Sequence, residues 1–254
     1  MITLLSPTRT MNMAPVSGTY PNATVPRFLP EAERIVAGVK TFSAKELADM
    51  MNLSPETAEN DYHYFQQFNS PTTIQKQAVL AYNGTVYQRL NARSFNEKDF
   101  QYTQKHLRII STLYGLIRPL DAIKAYRLMF SLKVPGLNAE NLYQFWKPVI
   151  TKALIDDMIA DDGILINLAS EEIFKSIDTS KIPDNLRIIQ IRFKEHRNGS
   201  YKGIQMYSKQ SRGNMAHYIV KNQIKHPEDI QHFNRDGYVF NKLLSTPDKY
   251  IFTR

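Results

Sequence analysis

A chain of 254 residues, 43% of them hydrophobic, is long enough to bury a real core and reads as one large domain. Its 32 Lys and Arg against 24 Asp and Glu leave a formal charge of +8 and a pI near 9.4. That balance suits an anionic partner, nucleic acid or a phosphorylated small molecule, although many mildly basic proteins bind neither. The absence of cysteine excludes disulfides, Cys-ligated zinc, iron–sulfur clusters and thiol nucleophiles, and fits a reducing cytoplasm. The opening MITLLSPTRT is too short an apolar run for a signal peptide, and no later run approaches the roughly 20 apolar residues of a spanning helix. The expectation is a soluble, cytoplasmic protein with no membrane partner.

Ile2 to Leu5 reads as a buried strand that empties into a polar loop, Ser6 to Thr10. Ligand sites in open α/β sheets gather at strand ends, so Ser6, Arg9 and Thr10 are candidates for a site, against the alternative of an ordinary surface loop. Residues 14 to 30 carry four prolines without periodicity and read as an irregular connector. A helix then carries Ile35, Val36 and Val39, and Ser43 with Glu46 supplies a capping box for the next. Ser54 is an N-cap with Pro55 behind it, and Ala58, Tyr62, Phe65 and Phe68 follow at helical spacing. Two helices joined by Asn52, Leu53 and Ser54 are a candidate helix-hairpin-helix, whose hairpin amides could meet a DNA phosphate. A plain helix pair burying a Met and aromatic face is the favoured reading, since Asn52 and Ser54 replace the usual glycines and few basic side chains flank the turn.

Ser70-Pro71 predicts a helix through Ile74, Ala78 and Ala81, and Thr85 to Leu90 a short strand or turn. Asn96 and Asp99 read as a capping pair for a helix that continues through Leu107, Ile110, Leu113 and Tyr114 to a stop at Gly115. Arg118-Pro119 then makes a stiff corner holding Arg118, Asp121, Tyr126 and Arg127 close together. Leu137 to Met158 reads as a long helix kinked near Pro148. The carboxylates at its end, Asp156, Asp157, Asp161 and Asp162, read as a solvated helix terminus rather than a cation site.

Gly163 to Ala169 reads as a central strand delivering Asn167, and Ser170 caps a short helix bearing Glu171 and Lys175. Arg187 to Lys194 and Tyr201 to Tyr207 read as hairpin partners around Asn198-Gly199. Ser208 to Gly213 reads as a basic loop that opens a helix, where Lys209 and Arg212 would oppose the dipole unless an anion offsets them. A last pair of strands surrounds Thr246-Pro247-Asp248.

No zinc-protease, phosphate-loop, dinucleotide or nucleophile-elbow motif is present, and the six histidines show no ligand spacing. What remains is a set of loop cations: Arg9, Arg118, Arg127, Lys175, Lys209 and Arg212. Converging in one cleft, they would hold phosphate or carboxylate through arginine forks.

In order along the chain, SPTRT (6 to 10), YNGTVYQRL (82 to 90), HLRIISTLYGLIRPLDAIKAYRL (106 to 128), LYQFW (142 to 146), INLASEEIFKSI (166 to 177), SRGNMAHYIV and DGYVF resemble the YaaA family of bacterial peroxide-stress proteins. The resemblance implies a single α+β domain over residues 1 to 254, with a mixed, barrel-like sheet surrounded by helices. It also implies a helix-hairpin-helix on about residues 44 to 68, a basic cleft, binding of double-stranded DNA and a cytoplasmic role in lowering free iron. The residues themselves point to no cofactor and no metal, and the family's reaction is not settled. Two departures stand out. The family's SPAKT is SPTRT here, which puts Arg9 in place of a lysine, and its YRLEMG is here Tyr126 to Ser131, which puts Met129 in place of an acidic residue. Chemistry that rests on that acid would pass to Glu171 or Asp121. Two functions follow: a DNA-binding stress protein, or an enzyme on a small anionic or nucleoside-like substrate clamped by Arg118 and Arg127.

Overall fold

The computed structural model describes all residues from 1 to 254. β1 (Ile2–Leu5) is followed, after the irregular connector, by α1 (Leu29–Val39), α2 (Ala44–Met51) and α3 (Pro55–Gln66). Ser43 and Glu46 make the expected capping box, and Ser54 accepts a hydrogen bond from the Thr57 amide at the start of α3. Next come β2 (Lys76–Gln77), α4 (Ala78–Ala81), α5 (Thr85–Leu90) and α6 (Glu97–His106), the last capped by Asn96 and Asp99 as expected. β3 (Leu107–Ser111), β4 (Gly115–Ile117) and β5 (Ala122–Ile123) lead into α7 (Leu142–Ile159). β6 (Ile164–Asn167), α8 (Glu171–Phe174), β7 (Arg187–Arg197), β8 (Ser200–Lys202), α9 (Gln205–Lys221), β9 (Val239–Phe240) and β10 (Lys249–Thr253) complete the chain. No helix is long and apolar enough to cross a membrane.

The main sheet runs β4-β3-β1-β6-β7-β10-β9, with β8 paired to β7 beyond the sheet's edge. Its five central strands are mutually parallel, while β4, β8 and β9 pair antiparallel. The class is α+β with a mixed sheet surrounded by helices, but the sheet is open. β4 and β9 end it without pairing to each other, so the expected barrel does not close. A contiguous core of 61 buried residues fills the space between sheet and helices.

Several elements depart from the expected ones. The helix expected to run on to Gly115 stops at His106, and Leu107 to Ser111 becomes a strand paired parallel to β1. A short buried run cannot be told from a helix by periodicity, and here pairing along the whole of β1 decides. Gly115, at φ +71°, closes a three-residue hairpin turn in which Ser111 Oγ accepts from the Tyr114 amide at 2.9 Å. Any Cβ there would lie 2.6 Å from the Trp146 ring. The helix expected from Ser70 is replaced by turns, β2 and α4, and the strand expected at Thr85 is α5. α7 begins at Leu142 rather than Leu137 and is continuous through Pro148. The tract 208 to 213, expected as a loop, lies inside α9.

The carboxylates ending α7 are not all solvated. Asp157 is buried and pairs with Arg108 of β3 at 2.6 Å and with Arg27 at 2.7 Å. Burial opposes its charge, but the two guanidiniums outweigh that and hold its carboxyl below the usual range. Asp161 pairs with His106 and with the Met1 amine.

α9 and α5 pack through Gly213, where a Cβ would lie 2.3 Å from the Val86 carbonyl oxygen and 2.6 Å from Arg89 Cβ. Because the obstacle includes backbone, the helices must part to admit a methyl group. Gly213→Ala is expected to cost about 1–3 kcal/mol of unfolding free energy. Urea denaturation reads this directly, and an unchanged midpoint would show that the helices yield freely.

Candidate functional site

The connection from β1 leads to β3 on one side of it, while β6, on its other side, opens the run β6-β7-β10. The β1/β6 boundary is therefore where strand order reverses, the position at which open parallel sheets leave a crevice beyond their carboxyl ends. Ser6, Thr112 and Leu168, the residues immediately after β1, β3 and β6, all line a cavity of about 530 Å³ there. The Ser170 amide donates to Ser6 Oγ at 2.8 Å and ties the two loops across the crevice. Ser170 Oγ in turn accepts from the Ile173 amide, capping α8.

Four cationic residues, Arg9, Arg127, Lys209 and Arg212, line this cavity together with one acidic residue, Glu172. Lys209 and Arg212 come from one face of α9, three residues apart, rather than from a loop at its start. Both lie beyond the first turn, so the dipole penalty expected for them is largely absent. Burial and the neighbouring Arg192 guanidinium push Arg212 below the usual arginine value, which Glu171 partly offsets. Thr10 and Tyr126 complete the expected set. Beneath them runs a buried hydroxyl chain, with Tyr126 bonded to Tyr82 at 2.6 Å and to Ser111 at 2.7 Å. Burial raises both tyrosines' pKa values, so their hydroxyls stay protonated at neutral pH.

Other expected site residues lie elsewhere. Arg118 is exposed at its corner and lines neither this cavity nor its neighbour. Asp121 is buried and structural: its carboxylate accepts from the Arg118 amide at 2.8 Å and from Thr24 Oγ1 at 2.7 Å. Asn167 is sealed in the sheet, donating to Gln190 Oε1 and accepting from the Ala169 amide. Lys175 is exposed beyond α8, and Glu171 pairs outside the cavity with Arg192 at 3.3 Å. Met129 does line the cavity, so its far wall is a thioether where the resemblance leads one to expect an acid.

Asn52, Leu53 and Ser54 join α2 to α3 as expected, with Asn52 left-handed at φ 51°. Two of the three hairpin amides are committed, because Asn52 and Leu53 both donate to the Ala48 carbonyl. Residues 44 to 66 hold one lysine, Lys45, against Glu46, Asp49, Glu56, Glu59 and Asp61. Such a surface repels phosphate.

One carboxylate was missed. Asp61 of α3, its side chain 2% exposed, points into a second cavity of about 450 Å³ that shares Arg9, Thr10, Tyr126 and Arg127 with the first. Its Oδ2 lies 3.7 Å from Arg127 Nε, and neither atom has a hydrogen-bond partner. Burial raises its pKa to about 6 despite the attraction of Arg127. The signal was available: Asp61 sits at helical spacing between Ala58 and Phe65, on the apolar face of its helix.

Since the folded carboxyl holds its proton more tightly than the unfolded one, whose ordinary value is 3.8, this group favours folding below that value and loses the advantage as pH rises through 6. Asp61→Asn is accordingly expected to stabilise the fold by up to about 3 kcal/mol near pH 8, a gain that fades to about zero by pH 4. Urea unfolding of both proteins at the two pH values measures the difference. Equality at both would mean that Arg127 compensates the charge in full.

A family model described as "Peroxide stress protein YaaA" matches residues 1–244. A UPF0246 protein of Parabacteroides distasonis is 39% identical over 256 residues, covering 99% of each chain. One of Bacteroides fragilis is 37% identical over 253 residues, covering 100% of this chain and 98% of its own. One of Acaryochloris marina is 37% identical over 256 residues and spans both chains completely. On a match of this extent, running through the strand ends and cations that build the cavity, the chain belongs to the YaaA family of peroxide stress proteins.

Proposed function

We propose that this peroxide stress protein works by holding a phosphate-bearing ligand of nucleotide size in the cavity at the ends of β1, β3 and β6. The observation that carries the reading is the convergence of Arg9, Arg127, Lys209 and Arg212 on one cavity of about 530 Å³ at the point where strand order reverses. Arginine forks match phosphate oxygens, and the volume falls within the ordinary range of small-molecule sites. Asp121 is committed to its own corner and Glu171 pairs with Arg192, which favours binding over catalysis by either.

The net charge of +8 favours a second use of the same cations, contact with the backbone of double-stranded DNA. In that case Arg9 and Lys209, both exposed, are the contact points, and not the acidic helix pair with two of its three hairpin amides spent. Limiting iron-driven damage would then follow from what the cavity binds.

Two measurements test these readings. A thermal-shift series with nucleoside monophosphates is expected to stabilise the wild type and not Arg212→Ala, since a ligand that binds only the folded state raises its unfolding temperature. No stabilisation across the series would sink the small-ligand reading. For the duplex reading, affinity should fall steeply with salt, and Lys209→Ala should reduce the slope of log K against log salt by about 1. A slope unaltered by the substitution would remove Lys209 from the interface.

A further inference from the structure

The two cavities share Arg9, Thr10, Tyr126 and Arg127 in their linings, so they lie side by side, and they are taken below as chambers of one cleft. Their chemistry differs, although both carry Arg9 and Arg127. The larger chamber carries cations; the smaller has a buried carboxylate, Asp61, on its wall and methionines and aromatics around it. Asp61 lines this chamber with its Oδ2 sealed beside Arg127, where it has no hydrogen-bond partner because the guanidinium stands too far off to supply one. A buried acceptor left unmatched costs stability, and a site keeps such a group where a ligand completes it. Met11, Met13, Ile74 and Tyr64 offer the apolar and aromatic surface on which a flat heterocycle packs.

We propose that the Asp61 chamber is a base-recognition subsite, and that the cleft takes a nucleoside phosphate whose base presents N–H donors to the Asp61 carboxylate while its phosphate lies among Arg127, Lys209 and Arg212. This rests on the phosphate reading of the larger chamber. It adds the part of the ligand that the cations do not choose. A carboxylate accepts from a ring N–H and an adjacent exocyclic amine, whereas a base edge carrying only acceptors would face it lone pair to lone pair. Discrimination of this kind is strong, since the wrong ligand leaves a buried charge unpaired.

Isothermal titration of the whole chain with guanosine 5′-monophosphate, inosine 5′-monophosphate and ribose 5-phosphate separates the two chambers. The three share one phosphate. The first offers a ring N–H and an amine, the second a ring N–H only, and the third no base. Affinity is expected to fall in that order on the wild type, by at least about tenfold from first to last. In Asp61→Asn the two nucleotides should weaken towards ribose 5-phosphate, whose own binding is kept or tightened because the Arg127 guanidinium loses a competing charge. Ribose 5-phosphate binding with no difference among the three would overturn the subsite and leave the phosphate reading standing. The same order undiminished in Asp61→Asn would also overturn it. Failure of all three to bind the wild type would remove both readings together. Where the variant does not fold, a wild type that fails to discriminate the three ligands still overturns the subsite.

Discussion

β1 is paired on one edge by β3 and on the other by β6, and its residues Ile2, Thr3, Leu4 and Leu5 are sealed on both faces. A strand enclosed in this way can leave the sheet only at its end, and its neighbours, being parallel, leave at the same end. The cleft is a consequence of that constraint. Ser6, Thr112 and Leu168 are brought together because each is the first residue free of a strand, and the Ser6–Ser170 hydrogen bond fixes the distance between two of the three exits. α9 then closes the side with Lys209 and Arg212, held against α5 by the absence of a side chain at Gly213.

The chain contains the same kind of pair, arginine and aspartate, in two conditions. Arg108 and Asp157 meet at 2.6 Å, Arg27 adds a second donor, and the Arg108 guanidinium also donates to three backbone carbonyls. Every polar group there is answered, as a buried ion pair requires if it is not to destabilise. Arg127 and Asp61 stand 3.7 Å apart with facing atoms unsatisfied. Both pairs are largely shielded from water, so burial alone does not separate them. What does is closure: the first joins β3 to α7 and admits nothing, while the second borders open volume on both sides of the guanidinium.

Much of this could be read from residue pattern, where the signal was local. The strands at Ile2 and Ile164, the caps at Ser43, Ser54, Asn96 and Ser170, and the hairpin at Asn198-Gly199 each carry their own chemistry within a few residues. Errors arose where distant contacts decide. Leu107 to Ser111 is a strand because β1 lies beside it, and Thr85 to Leu90 is a helix packed against α9. In the cleft, Ser6, Arg9, Thr10, Tyr126, Arg127, Ser170, Lys209 and Arg212 do converge. Arg118 and Asp121 looked equivalent to Arg127 because they flank one corner. The chain turns there through bonds made by Asp121 itself, which spends the carboxylate and leaves Arg118 in solvent. Asp61 was passed over because its helix was read for its apolar residues, and a charge on that face is the exception that marks a site.

Arg127 is shared, and sharing has a thermodynamic price for both neighbours. A single arginine lies 3.7 Å from Asp61 and lines both cavities. An anion arriving in the larger chamber competes for that positive charge and leaves the carboxylate less compensated. If the larger chamber binds an anion as proposed, the protonated form would gain ground, anion uptake would draw a proton with it, and by reciprocity acidification would tighten the hold on the anion. The two chambers would therefore exchange information through one side chain that need not move.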